Sequence, residues 1–380
     1  YEIDAGREVR LDRALRAGAL QRLVVRIGAA DEEWITAPED AAFPIEELPE
    51  DQEGYELRIV FSEPHHVPQP LADTIYLPRL RGNSTTCEFQ FRTRREVGVF
   101  EGRVAVMYGN RVLQTMLLVA QVLPEPVHAP LDAAIEFKPE TAVRANLAGL
   151  DSREPFDVAL VADTGSDGMM HVAGFTGQRV ELRSLENVEQ PIKRMRRRLS
   201  QIASSPEDFR DLNAEATQNL LRFLARQGSL LYDGIVRTQV GESGLLDDTD
   251  RRIQLVSARE SFLPLEFMYD HPSPLPEARL CPRAREALQT GQCMHCDQLD
   301  DEAIRAYVCP LGFWCMSRVI ERHAVKPVAE TNLSGAEYAL QSDPIAGRDT
   351  LDVLNAAVYA ASNRVQEAQV EDLLETLADV

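Results

Sequence analysis

Through the early part of the chain, apolar and polar residues alternate with a period of two. From Thr86 to Thr93, Cys87, Phe89 and Phe91 fall on one face, and Glu88, Gln90 and Arg92 on the other. That is the pattern of a strand buried on one side only. Val24–Ile27 and Tyr55–Ser62 carry the same β-rich signal. Val97–Tyr108 and Val112–Val122 are longer apolar runs joined at Gly109-Asn110, a dipeptide that tolerates the positive φ of a tight hairpin turn. Short strands with turn signals between them predict an all-β, immunoglobulin-like sandwich over residues 1–125, with Cys87 as plain core. Pro124, Pro126, Pro130 and Pro139 mark a connector over 126–152.

The period then changes. Phe156–Ala162 reads as a strand, and Met169–Leu182 as one or two more, broken at Gly174 and Gly177. Pro191–Ile202 reads as a helix with its proline in the first turn, where a missing amide is harmless. Ser205, Pro206 and Asp208 form an N-cap signal. Phe209, Leu212, Ala216, Leu220 and Phe223, spaced by three and four, predict a helix from there to about Arg226, ended by Gly228. Arg252–Ala258 is another strand. Further helices are expected after Pro310–Trp314, carrying Cys315 and His323, and over Asp349–Val380. Strands alternating with helices predict an α/β region over 153–380: an open, mainly parallel sheet flanked by helices, with a cysteine-rich insertion at 280–315.

Length and charge narrow the function. The chain has 380 residues, a length that suggests two or three domains, and it begins with Tyr1, which points to a fragment or a trimmed or processed piece. Its formal net charge of -21 has the wrong sign for a nucleic-acid or anionic-membrane surface. A protein partner or protein substrate is the expectation. The basic run Lys193, Arg194, Arg196, Arg197 and Arg198 reads as a solvated helix face. No apolar run approaches the roughly 18–20 residues of a membrane span, and the amino terminus has no signal-peptide pattern.

Six cysteines are present, and five fall between Cys281 and Cys315. A disulfide-stapled secreted domain distributes them more evenly, so the clustering predicts a reducing compartment, the cytoplasm, and a local metal site. Cys293-Met294-His295-Cys296 is a CxxC knuckle, flanked at similar distances by Cys281 and Cys309. Four thiolates satisfy a tetrahedral zinc ion and leave no position for water, which defines a structural site. The same residues also admit free thiols or a redox CxxC. Cys315 and His323 are reserve ligands; on one regular helix they lie roughly 12 Å apart, too far for a catalytic pair.

Two other stretches invite chemistry. Asp163-Thr164-Gly165 after an apolar strand resembles the aspartic-protease signature, but a single copy cannot share a proton between two carboxylates, and the run is equally good turn chemistry. His65-His66 reads as a surface loop without metal partners.

Taken in order, Phe156-Asp157-Val158-Ala159-Leu160-Val161, Ile253-Gln254-Leu255-Val256-Ser257, Leu263-Pro264-Leu265-Glu266-Phe267-Met268-Tyr269-Asp270, and Val308-Cys309-Pro310-Leu311-Gly312-Phe313-Trp314 with Arg318–Arg322 resemble bacterial CHAT domains, which are caspase-like cysteine peptidases. Leu265 stands where that family usually has Trp. The resemblance implies a caspase-like sheet in which a His and a Cys at adjacent strand ends carry catalysis. In the family both lie beyond the features matched here, so no residue of this chain is assigned a catalytic role, and the chain alone is expected to be inactive. It implies the regulatory, pseudo-caspase front portion of a peptidase, or else a non-enzymatic interaction adaptor on a zinc-stabilised scaffold.

Overall fold

The first ten elements are strands: β1 (Glu2–Asp4), β2 (Arg7–Val9), β3 (Ala14–Arg16), β4 (Leu20–Val25), β5 (Gly54–Glu63), β6 (Val67–Pro78), β7 (Cys87–Arg92), β8 (Gly98–Tyr108), β9 (Arg111–Leu123) and β10 (Glu136–Ala142). After them come β11 (Val158–Thr164), β12 (Met170–Thr176), β13 (Arg179–Leu185), α1 (Glu189–Ile202), α2 (Glu215–Tyr232), β14 (Arg252–Ala258), β15 (Arg279–Leu280), α3 (Ala284–Thr290), β16 (Tyr307–Val308), α4 (Trp314–Ser317) and β17 (Val319–Val325). The fold is mixed α/β with strands predominating. The computed structural model describes residues 1–29 apart from 5 and 6, residues 34 and 43, 52–124 apart from 80 and 81, 133–142, 155–237 apart from 166, 178, 204 and 210, residue 246, and 250–325 apart from 259 and 260. The expected connector lies largely outside these residues, although part of it forms β10; the expected helix over 349–380 lies wholly outside them.

The chain divides into two compact units. Among the described residues, the first holds those up to Glu186, Gly234–Leu263 and those from Arg318 onward; the second holds Asn187–Asp233 and Pro264–Ser317.

Three sheets make the first unit. One has the order β2-β1-β4-β7, and a second β10-β9-β8-β5-β6, with β3 also parallel to β9. These two share a core in which Tyr55, Leu57, Ile59 and Phe61 of β5 meet Cys87, Phe89 and Phe91 of β7. The Phe61 ring lies 5.2 Å from Phe91 and 6.0 Å from Phe89. Cys87 is core, as its alternation predicts. The β8–β9 hairpin turns at Gly109-Asn110, with Gly109 at φ 55. The third sheet has the order β13-β12-β11-β14-β17. Its first three strands are antiparallel neighbours, and β11, β14 and β17 are parallel.

The expectation that helices cover this third sheet needs correcting on one face. Ala159, Val161, Ala173, Phe175 and Val256 of the third sheet share a core with Val60, Ala105, Met107 and Val112 of the second. A sheet, not a helix, covers that face. Buried Gln254 bridges the two layers: its amide accepts from the Val112 N–H at 2.7 Å and donates to the Val112 carbonyl at 3.2 Å. Arg111 adds a second tie, pairing with Glu321 at 2.6 Å while lying 4.3 Å from the Phe156 ring.

The second unit gathers the helices. Helix α1 covers the predicted span, with Ile192 and Met195 buried and the basic run mostly on its outer side. Helix α2 departs from expectation. Pro206–Phe209 closes only a 3-10 turn, and the Asp211 carboxylate then accepts from the Asn213 N–H at 2.9 Å. Such a side-chain turn competes with helical pairing, so α2 starts at Glu215 and its buried stripe becomes Leu220, Leu224 and Leu231. Gly228 does not end it. Instead it lets α2 approach the turn Leu265–Phe267, because a Cβ there would lie 2.1 Å from the Phe267 carbonyl oxygen.

Candidate metal centre

A parallel pairing of two very short strands sets the site. Leu280 of β15 lies opposite Val308 of β16, so Cys281 and Cys309 emerge side by side. The Cys281 N–H donates to the Val308 carbonyl at 2.9 Å, continuing the ladder one residue further. Helix α3 follows Cys281 and turns the chain back, delivering the Cys293–Cys296 knuckle. The Cys296 N–H lies 3.4 Å from the Cys293 sulfur. The sulfurs of Cys281 and Cys293 are 3.6 Å apart, as are those of Cys281 and Cys296. All four sulfurs of Cys281, Cys293, Cys296 and Cys309 lie within 4.8 Å of one another, and all four residues are buried. A zinc–sulfur bond of about 2.3 Å in a tetrahedron requires sulfur–sulfur edges of about 3.8 Å, so the four are spaced to bind a metal ion.

The surroundings supply hydrogen-bond donors to the sulfurs. Backbone N–H groups of Arg283, Cys296 and Leu311 point at Cys281, Cys293 and Cys309. The Cys309 N–H donates to the Tyr269 hydroxyl at 3.0 Å, fixing that loop. His271 hydrogen-bonds the Cys309 side chain and pairs with Asp270 at 3.0 Å. Burial alone would lower the His271 pKa, but its bonds to Asp270 and Cys309 raise it to about 9.

As thiols, Cys281, Cys296 and Cys309 hold their protons unequally. The bond from the Cys296 thiol holds Cys309 down at about 4, against burial and helped by His271 and the Leu311 amide. That same bond, with burial, pushes Cys296 well above its usual range. Cys281 rises to about 11, chiefly through burial. A bound cation displaces such protons, because only thiolates are metal ligands.

Asp270, His271 and Cys309 together have the composition of a thiol triad, which the sequence reading did not pick out. Adjacent Asp270-His271 was its only signal. Cys309 is fully buried among three other sulfurs, however, so a peptide carbonyl cannot reach it. His271 acts on a metal-ligand candidate from outside, the position from which a hydrogen bond sets a ligand's charge and orientation.

The reserve ligands go elsewhere. Cys315 is exposed on α4, outside the four-sulfur group. The expected helix carrying both Cys315 and His323 lasts a single turn. The β-branched Val319-Ile320 then starts β17, which places His323 on a strand, 2.7 Å from Glu321. Asp163-Thr164-Gly165 closes β11 in a tight turn, with the Gly165 N–H on the Met169 carbonyl and the Gly168 N–H on that of Gly165. His65, read as a loop residue without metal partners, lies beside Asp167 and His171. Comparison with family models, with curated proteins and with solved structures finds no match.

Proposed function

We propose that this chain is the regulatory front portion of a caspase-like, CHAT-type cysteine peptidase, with a structural zinc ion on Cys281, Cys293, Cys296 and Cys309. One observation carries the reading. The strand of Val158–Thr164 runs parallel to that of Arg252–Ala258, and Leu263-Pro264-Leu265-Glu266 follows directly, ahead of the cysteine loop. That is the order the family resemblance requires of the first half of its sheet. Parallel β17 extends the sheet on the side where further strands would add. The zinc reading rests on four convergent buried sulfurs and their N–H donors; with all positions filled by thiolate, such an ion holds structure and performs no chemistry. Unpaired cysteines throughout fit a reducing compartment such as the cytoplasm. Among the described residues no helix is long and apolar enough to cross a membrane.

In this reading the first two sheets engage a protein partner, and the nucleophile and its base belong to strands beyond β17. The test uses the natural reading frame that contains this sequence. Its product should react with an electrophilic peptidyl ketone at one cysteine located after β17, and replacing that cysteine by Ala should abolish both labelling and proteolysis. A frame that encodes no strand ending in His-Gly and none ending in Cys sinks the peptidase reading and leaves the adaptor. Elemental analysis of purified protein decides the metal separately, with one zinc per chain expected.

A further inference from the structure

Residues roughly a hundred positions apart in the sequence meet at one end of the third sheet. His65 lies in the turn between β5 and β6, Asp167 in the turn between β11 and β12, and His171 is the second residue of β12. Pairing across the sheet sets Asp163, His171 and Ser184 in one row. The His171 Nε2 is 3.2 Å from both Asp167 carboxylate oxygens, and the His65 Nε2 is 3.6 Å from Oδ2 of the same carboxylate. One ligand atom from each residue falls within 4.8 Å of the others. All three residues belong to the first unit.

We propose that His65, Asp167 and His171 bind a divalent transition-metal ion, distinct from the one at the cysteines. Bonds of about 2.0–2.2 Å at tetrahedral angles set ligand atoms roughly 3.3–3.6 Å apart, close to the 3.2 and 3.6 Å that separate Asp167 from the two imidazoles. Two imidazoles and one carboxylate suit Zn²⁺, Co²⁺, Ni²⁺ or Fe²⁺, whereas Mg²⁺ and Ca²⁺ require mainly oxygen. The ligands are already oriented. The His171 Nδ1 is 2.9 Å from the Ser184 hydroxyl; donating there, it leaves the Nε2 lone pair for the ion. Asp167 is held by the Met169 N–H, which donates to Oδ1 at 2.9 Å.

Burial falls across the trio: the side chains of His171, Asp167 and His65 are 7%, 25% and 42% exposed. The inner ligand is fixed and the outer one faces solvent, which gives an ion a way in. Three protein ligands leave at least one position of a four-coordinate ion for water or an exogenous ligand, unlike the closed cysteine set. The cleft beside His171 is lined by Ser62, Glu101, Arg103 and Asp163, so a group on that open position has polar neighbours.

The test titrates the chain, free of any polyhistidine tag, with Co²⁺, followed by absorption and calorimetry. A cysteine-bound ion shows sulfur-to-cobalt charge transfer; the ion proposed here does not. The chain should bind a second equivalent without charge transfer. His65→Ala and Asp167→Asn should weaken that equivalent by about 100-fold or more, and Ser184→Ala by about 10–100-fold. The sulfur-bound equivalent should be unaffected in all three. Ser184 is exposed and His65 lies half-buried in a turn outside the core, so these variants test the site without threatening the core, and an unchanged circular dichroism spectrum checks the fold. Absence of any equivalent lacking charge transfer overturns the proposal, as does one that survives His65→Ala and Asp167→Asn with undiminished affinity. Loss of the charge-transfer equivalent alone would refute the cysteine site and leave this one standing.

Discussion

At the scale of single residues, the first unit depends on a few buried polar groups placed where two β-layers meet. Gln254 is completely buried and satisfies both backbone groups of Val112 from a neighbouring sheet. Gln254→Leu keeps the volume but strands a donor and an acceptor, each costing about 1–3 kcal/mol when buried unpaired. The expected loss in urea unfolding is about 2 kcal/mol or more; a loss under about 0.5 kcal/mol would mean Val112 is satisfied some other way. Glu321 gives a pH signature. Burial by itself would raise its carboxyl, but hydrogen bonds from His323 and Arg111 prevail and hold it at about 2. The folded pKa is therefore below the unfolded value of about 4.3. Its contribution is complete above that value and disappears as the pH falls toward 2, because the unfolded chain binds the proton more readily there. Glu321→Gln should flatten the decline of the denaturation midpoint between about pH 5 and 2.5. An identical slope in wild type and variant would show that the pair is energetically silent.

Elements rather than residues decide what could be read from the sequence. Strand β7 was legible because its three buried and three exposed residues alternate cleanly. Strand β8 was legible as a strand, but not as a strand covered on both sides. The signal was present: Val104, Ala105, Val106 and Met107 are consecutive and all buried, and a strand with one wet face does not read that way. The end of α2 was misread because glycine is usually a stop. Here it is a point of contact, and the evidence for that is the turn 265–267, which lies far along the chain. Gly228→Ala forces a Cβ onto the Phe267 carbonyl, a backbone atom that cannot swing aside. Overpacking of this kind typically costs about 1–3 kcal/mol. Leu230→Ala, two residues on and half exposed, should stay within about 0.5 kcal/mol of wild type. If the two variants unfold together, the close approach is not constraining. The four cysteines were legible because ligand spacing survives in one dimension. His271, and the group of His65, Asp167 and His171, were not, since the parallel ladder and the cross-sheet row that assemble them exist only after folding.

For the whole molecule, the question is whether the cysteine centre supports the entire chain or one unit of it. All four ligands belong to the second unit, and Cys87 is core of the first. A structural zinc ion contributes on the order of 10–16 kcal/mol of apparent binding energy, at least the whole stability of a typical domain at about 5–15 kcal/mol. On the proposed zinc reading, removing the ion should unfold the second unit, while the first keeps its own aromatic core. The cysteines report this independently. Cys315 is exposed and should alkylate at once. Cys281, Cys293, Cys296 and Cys309 should alkylate only after a strong chelator is added. Cys87, its thiol raised to about 12 chiefly by burial, should stay unmodified until denaturant opens the first unit. Mass-spectrometric mapping of the modified positions reads all three classes in one experiment. Modification of the four cluster cysteines without chelator would exclude a thiolate-bound ion. Modification of Cys87 in step with them would show that the two units stand or fall as one cooperative structure.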